Sequence, residues 1–366
     1  MDGIICVYKQ SGWTSFDAVA KLKHILHTGK IGHTGTLDPM AEGVLLVCVG
    51  SATKAVSLFD DMTKEYVTCM RLGVATDTED LTGNINKYVN VKMVPSGHIN
   101  NYGADSADNS LRTITMEEIS KCVSSFKGEY MQIPPMYSAK SVDGKRLYGL
   151  ARAGITVKRE PVKRYLEDIE VICDEERPSF NDENNENEYI ERSGREYLNC
   201  RKSICESRYC DVYIRVSCSR GTYIRTLCSD IGERLGLPAC MKNLKRTRVG
   251  NFTIQQSLLI SEIEKMADNE DFSFLQPVDA FFDFLPAYRT KPGADKWLLN
   301  GNSLLTGDVE RIKPGDENNK GINIISEEFK VRMYTSDMVF IGLYKAADVF
   351  MPVKMFYVKG SAGNEA

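Results

Sequence analysis

The sequence predicts a protein of interleaved strands and helices that ends in a small β-rich module. Three observations predict it. Short apolar runs of strand length alternate with amphipathic stretches of helical period as far as Phe252. Beyond Phe252 the composition changes, and the apolar pieces become short and are cut by Gly, Asn and Pro. The length of 366 residues also exceeds the ~250–300 at which a single hydrophobic core tends to split.

Ile4 to Tyr8 reads as a short strand. "TSFDAVAKLKHILHTG" follows as a helix capped by Thr14 or Ser15, with Phe16, Val19, Leu22, Ile25 and Leu26 at helical spacing and Lys21, Lys23, His24 and His27 on a wet face. Val44 to Val49 is a continuous apolar run ending at Gly50, the pattern of a strand buried on both faces. "EYVTCMRLG" gives a strand with Tyr66, Thr68, Met70 and Leu72 on one face. Its tail, "VATDTEDLTGN", reads as a turn-rich loop, and Gly83 to Thr113 as a polar insertion without sustained period. Met116 to Phe126 forms an amphipathic helix closed by Gly128. "VYIRVSC" is a strand, and "RGTYIRTLCSDIGERLG" turns into a helix that Gly236 can end. A helix and linker follow in "SLLISEIEKMADNEDFSFLQPVDAFF", and "KWLLNGNSLLTGD" and "MVFIGLYKA" read as parts of the β-rich module.

The hydrophobic fraction of 42% and charged fraction of 26% fit an ordinary globular protein and exclude a disordered or fibrous one. The net charge of -4 gives no global sign of a nucleic-acid partner, yet local sums differ. Lys140 to Arg164 holds eight Lys/Arg against two acids, and Arg201 to Gly250 holds eleven against four. Between them lies the acidic, Asn-rich "DEERPSFNDENNENEYIE". Two basic segments beside glycine-containing turns are compatible with a polyanion partner. The eleven cysteines are scattered, no CxxC pair occurs and no signal-like start precedes them, so a reducing cytoplasm is expected. Only four histidines make a zinc site improbable, and no apolar run approaches the ~20 residues of a membrane span.

Chemistry is expected around Asp38, in "GHTGTLDPMAEGVLLVCVGSATK". An Asp beside Pro is ordinarily a turn former. Here it stands in a glycine-punctuated turn just before a buried strand, where loops on rigid scaffolds tend to carry catalytic groups. An ionised carboxylate in a partly dry pocket can act as a nucleophile, provided that a cation lowers its pKa and orients it. Spacing alone does not select that cation.

That stretch, with "KEYVTCMRLGVATDTED", "IPPMYSAKSVDGKRLYGLARAGI" and "CSRGTYIRTLCSDIGERLG", resembles the successive motifs of the TruB family, the bacterial tRNA pseudouridine-55 synthases, over most of Gly3 to Val249. The resemblance implies an α+β pseudouridine synthase fold with a mixed, largely antiparallel central sheet over residues 1–283, carrying polar insertions near 83–113 and 174–200. It implies a small PUA-like β domain over 284–366. It implies isomerisation of the T-loop uridine of tRNA, in which the N1–C1′ bond breaks and the base rejoins through C5. Asp38 matches the catalytic aspartate and Arg225 its arginine partner. Tyr66 matches the tyrosine that stacks on the target base and serves C5 deprotonation. Tyr223 matches the aromatic lining of the pocket, Leu244 an apolar wall, and His33 the histidine that enters the T-loop. Lys9, Lys140 and Lys245 are expected on the RNA, where phosphate contacts position a ligand and make affinity salt-dependent. Gln10 departs from the pattern, because relatives have Pro after Lys9.

No redox change occurs and no group is imported, so neither metal nor organic cofactor is expected. The partner is the T-stem-loop of tRNA, with no membrane, no obligatory protein partner and a monomeric state. A guide-RNA-dependent subunit and a tRNA-folding chaperone are the rival readings.

Overall fold

Alternation of buried side chains on two neighbouring strands builds the first sheet. On β1 (Gly3–Lys9), Ile4 and Cys6 join one core while Ile5 and Val7 join another. After β2 (Ile31–His33), β3 (Glu42–Val49) divides the same way: Val44, Leu46 and Cys48 face the first core, and Leu45, Val47 and Val49 the second. A run buried on both faces has no polar side to show, as its continuous apolar sequence implied.

The computed structural model describes every residue outside 96–110, 139–140, 143, 174–175, 177, 181–208, 314–329 and 358–366. The chain divides into two compact units, Met1–Thr63 with Arg248–Ala366, and Lys64–Thr247. The expected boundary at 283/284 falls within the first unit, between its two sheets.

In the first unit, β1 pairs antiparallel with β3, which also takes β2 antiparallel. Helix α1 (Ser15–Ile25) covers the second core through Ala18, Val19 and Leu22. Its N-terminus is a capping box in which Thr14 and Asp17 satisfy each other's backbone N–H groups. A short α2 (Val56–Asp60) follows β3.

In the second unit, β4 (Lys64–Leu72) is followed by the β5 (Val74–Thr76) and β6 (Ile85–Tyr88) ladder and the parallel pair β7 (Asn90–Val94) and β8 (Leu111–Thr115). The polar stretch expected to be a loop after Gly83 therefore carries strands, and its weak period reflects their mostly solvated sides. Helix α3 (Met116–Ser124) leads to β9 (Gly128–Gln132), a small β10 (Ser141–Val142) and β11 (Lys145–Arg146) hairpin and α4 (Leu147–Arg152). Strands β12 (Val162–Val171) and β13 (Cys210–Cys218) complete an antiparallel run in which β9, β12, β13 and β4 are successive neighbours. Helix α5 (Ile224–Leu235) ends at Gly236, whose φ of 69° is the left-handed conformation that a glycine adopts without strain.

Strand β14 (Ala239–Val249), which the sequence did not announce, follows α5. Its alternating basic residues hide the strand period, because Lys245 and Arg246 are buried rather than solvated. Its last two residues pair in the first unit with β15 (Phe252–Thr253); β16 (Leu258–Leu259) then runs parallel to β1, and α6 (Ile260–Asp268) packs on the second core.

The C-terminal part of the first unit is a six-stranded sheet, ordered β18-β22-β21-β20-β17-β19, built from β17 (Ala287–Thr290), β18 (Leu304–Leu305), β19 (Val309–Lys313), β20 (Lys330–Tyr334), β21 (Phe340–Lys345) and β22 (Val349–Met355). The expected β-rich module is thus present, with one correction: "DKWLL" is a helix, α7 (Asp295–Leu299). Asp295 fixes it, accepting from the backbone N–H and hydroxyl of Ser336. Among the described residues no helix is long and apolar enough to cross a membrane.

Candidate active site

Asp38 lies half-buried in the loop between β2 and β3, and its neighbours are fastened to the segment between β1 and α1. The Leu37 N–H donates to Ser15 Oγ at 2.9 Å. The Pro39 carbonyl accepts from the Gly12 N–H at 2.9 Å and from Lys9 Nζ at 3.2 Å. Ser11 Oγ donates to the Met40 carbonyl at 3.1 Å, and the Ala41 N–H closes a turn onto the Asp38 carbonyl at 3.0 Å. Backbone on both sides of the aspartate is therefore fixed by hydrogen bonds, as preorganisation of a reactive group requires.

Lys9 corrects an expectation. It is fully buried, and its ammonium also donates to the carbonyls of Gln10 at 3.0 Å and Trp13 at 2.6 Å. A side chain committed in this way braces the Asp38 loop from below and has no solvent-facing charge for RNA. The departure at Gln10 does not weaken the brace, since residue 10 contributes its backbone carbonyl. His33, the last residue of β2, is half-buried opposite Val47.

The second unit holds Tyr66, Tyr223, Arg225, Leu244 and Lys245. Arg225 is in the first turn of α5 and almost wholly buried. Its Nη1 donates to the Thr78 carbonyl at 3.1 Å and its Nη2 to the Tyr137 carbonyl at 2.9 Å, while Asp80 Oδ2 lies 3.8 Å from Nη1. Asp80 is itself held by the hydroxyls of Thr78 and Thr82 and the Thr82 N–H. Two carbonyls and a fixed carboxylate leave the guanidinium plane little freedom.

Glu79, beside Asp80, takes a left-handed φ of 64°. Its carbonyl accepts from the Met241 N–H and its carboxylate from Thr226 Oγ1 at 2.5 Å, which ties this loop to β14 and to α5. Burial pushes the Glu79 carboxyl above its ordinary range, against the hydrogen bond from Thr226 and the charge of Arg225.

Tyr223 is the N-cap of α5, and no side chain within the helix caps it. Gln132 of β9 supplies the cap from outside: its Oε1 accepts the Tyr223 N–H at 2.8 Å and its Nε2 donates to the Tyr223 carbonyl at 2.9 Å. Nε2 also reaches Tyr130 Oη at 3.3 Å, and that hydroxyl donates to Asp230 two turns along α5. Burial raises the pKa of both Tyr130 and Asp230.

Tyr66 is buried on β4 opposite Val216. On the same face Thr68 packs its hydroxyl 3.9 Å from Cys228 Sγ of α5, three residues beyond Arg225. Thr68 Oγ1 also donates to the Asn243 carbonyl, next to buried Leu244. The structure thus brings Tyr66, Arg225 and the Leu244 strand to neighbouring elements.

Lys245 is a second correction. It is buried, its Nζ donates to the Ser179 carbonyl, and it stands 5.2 Å from the Phe180 ring centroid, so it packs a loop rather than awaiting phosphate. Lys140 lies outside the described residues. Sequence reasoning missed Asp80, Glu79 and Gln132; "TDTED" read as part of a turn-rich loop, and the glutamine before "IPP" carried no signal of its own.

Comparison with known proteins decides the family. Residues 23–107 and 98–190 match the model of the TruB family pseudouridylate synthase (N terminal domain), and residues 225–283 match the tRNA pseudouridylate synthase B C-terminal domain. The chain belongs to the TruB family.

A TruB relative from Lachnoclostridium phytofermentans, named tRNA pseudouridine synthase B, is 40% identical over 363 residues, covering 97% of this chain and all of the relative. Another of that name, from Clostridium tetani, is 39% identical over 72% of this chain and 73% of its own. Among solved structures, one described as "Structure of H/ACA RNP bound to a substrate RNA containing 2'-deoxyuridine" aligns with a TM-score of 0.60 at 22% identity, over 98% of this chain and 86% of that one. A Cbf5-Nop10-Gar1 complex aligns with a TM-score of 0.59 at 24% identity, over 97% and 85%. These two likenesses show a shared fold. As a member of the TruB family the chain is a pseudouridine synthase, an isomerase.

Proposed function

We propose that this protein converts the T-loop uridine of tRNA, position 55, to pseudouridine, with Asp38 as the catalytic carboxylate. Relatives named tRNA pseudouridine synthase B that match 97% and 72% of the chain support tRNA as the substrate. The observation that carries the role of Asp38 is the bracing of its loop: the residues on either side of it are hydrogen-bonded to Lys9, Ser11, Gly12 and Ser15, which leaves the side chain between them as the positioned group.

A uridine in a folded loop must leave its stack before its glycosidic bond is reached, at a cost of a few kcal/mol. His33 fills the vacated stack, and Tyr66 receives the base on an aromatic face. The carboxylate then either adds to C1′ or takes the C2′ proton; both routes release uracil at N1. The base turns and C5 bonds to C1′, as the Asp38–C1′ bond breaks on the first route or as the proton returns to C2′ on the second; the C5 proton then leaves with help from Tyr66, and N1 ends protonated. Arg225 takes the role that the family resemblance gives it, partner of the catalytic carboxylate. Tyr223 and Leu244 keep water from the detached base. The C-terminal β module has the PUA-like role of extending contact along the tRNA.

Transcript tRNA labelled with tritium at uridine C5 tests the reading. The wild type releases about one tritium per tRNA, because forming the C–C bond at one site expels that atom. Asp38→Asn releases none. Full retention of label by the wild type would end the proposal.

A further inference from the structure

Arg164 is a cation whose described surroundings hold no counter-charge. It lies on β12 directly opposite Tyr130 of β9, and such paired residues project from the same face of a sheet. On that face Tyr130 and Gln132 meet α5. The Arg164 guanidinium stands over Gly221, where an added Cβ would come within 3.1 Å of Nη2 and 3.2 Å of Cζ. Gly221 also has a φ of 71°, so both the close approach and the backbone favour glycine there.

The Arg164 Nε–H is shielded from solvent and has no hydrogen-bond partner among the described residues. Nη1 reaches the Lys163 carbonyl at a long 3.4 Å. The titratable groups that act on it are Tyr223, Arg220 and Cys218; none is a carboxylate, and Arg220 repels it. Burial first, and Arg220 with it, lowers the pKa of this arginine against the opposing pull of Tyr223 and Cys218. The residue is only half-buried, but a shielded donor without an acceptor is costly. A long side chain could escape by swinging into solvent, yet this one is laid along Gly221 toward the N-cap of α5. That helix has twelve residues, and the dipole at its N-terminus also favours an anion. A guanidinium fork matches the geometry of two phosphate oxygens.

We propose that Arg164 is a phosphate subsite beside Tyr223, filled by one phosphodiester of the substrate RNA; this rests on the tRNA reading above. The subsite fixes the RNA backbone next to the pocket aromatic, and the stability forgone by holding an unpaired cation is recovered when the RNA binds.

The test is a salt titration of tRNA binding to the full-length protein, from about 50 to 200 mM, comparing wild type with Arg164→Gln and Arg164→Lys. Arg164→Gln weakens binding about tenfold at low salt and reduces the slope of log K against log salt by about 0.7–0.9, one phosphate contact. Arg164→Lys keeps the slope and falls between in affinity, because it keeps the charge and loses the fork. Thermal midpoints separate this from a scaffolding role: removing an unpaired cation leaves the midpoint level or raises it, whereas loss of a structural arginine lowers it. Neutral methylphosphonates placed singly along the T-arm need no variant; one position reproduces the slope change with wild-type protein. An unchanged slope in Arg164→Gln, or no sensitive phosphate, overturns the proposal. Tritium release by the same wild-type preparation reports separately on the uridine reading, so the two fail independently.

Discussion

Replacing Lys9 by Met removes the ammonium and keeps most of the side-chain volume. Three carbonyls lose a donor: those of Gln10, Trp13 and Pro39. The losses differ. Pro39 keeps the Gly12 N–H at 2.9 Å, and Gln10 is exposed enough to take water. Trp13, with the shortest bond at 2.6 Å, loses most. A buried acceptor left unsatisfied costs about 1–3 kcal/mol, and hydrogen bonds to a charged group contribute about 1.5–3 kcal/mol each. Relief from burying the ammonium offsets part of this. The net is a loss of about 2–3 kcal/mol. For a unit of this size that lowers the thermal midpoint by roughly 4–12 °C. Urea or thermal unfolding measures the stability, and turnover measured well below the midpoint reports the slackened Asp38 loop as a fall in kcat. The salt slope of tRNA binding stays at the wild-type value. A stability change under about 0.5 kcal/mol, or a slope smaller by one contact, would refute the brace and return Lys9 to the RNA.

Lys245→Ala loosens the Ser179–Phe180 loop and lowers the thermal midpoint without changing the salt slope of tRNA binding; a flatter slope would contradict the packing role. Glu79 tests linkage: its folded pKa is raised above the ordinary 4.5, so the native state holds extra protons and stability falls as pH rises from 4.5 through the folded value. Glu79→Gln therefore gains stability relative to wild type at pH 7 and little at pH 4.5, and an equal difference at both pH values would exclude a raised pKa. Asp211 has the opposite sign. It accepts both Arg71 Nε and Nη2, at 2.7 and 2.8 Å, and Lys242 Nζ at 2.9 Å. Burial raises its pKa, but these partners outweigh burial and hold it below 3.8. Asp211→Asn costs about 3–5 kcal/mol at pH 7, and the stability due to the ionised carboxylate disappears as pH falls through its folded pKa. A denaturation series in which the variant matches wild type at pH 7 would show that the cluster is solvated.

The elements most legible in the sequence are those whose side chains share one environment. β3 is apolar throughout because both its faces are buried, and α1 and α5 carry a helical stripe with readable ends at Thr14 and Gly236. β14 was not legible, because Lys245 and Arg246 count as polar in any pattern and yet lie inside. "DKWLL" misled in the other direction: its apolar residues suit a strand, and only the bonds from Ser336 to Asp295, far along the chain, select a helix. Motif resemblance reached the expected site residues but not their supports. Nothing near Arg225 in sequence announces the carbonyls of Thr78 and Tyr137, and nothing near Tyr223 announces Gln132, because these partners are brought in by folding. Lys9 shows the same limit: it was expected on the RNA, and the carbonyls of Trp13 and Pro39 that hold it inside are brought to it by folding.

Mapping pseudouridine at single-nucleotide resolution in transcript tRNA, after incubation with wild type or with Asp38→Asn, bears most directly on the role of the carboxylate. The account predicts a single new pseudouridine, at the T-loop uridine, with wild type and none with Asp38→Asn, although that variant still binds the tRNA. Conversion by Asp38→Asn at the wild-type rate, or a wild-type product at another position alone, would contradict it.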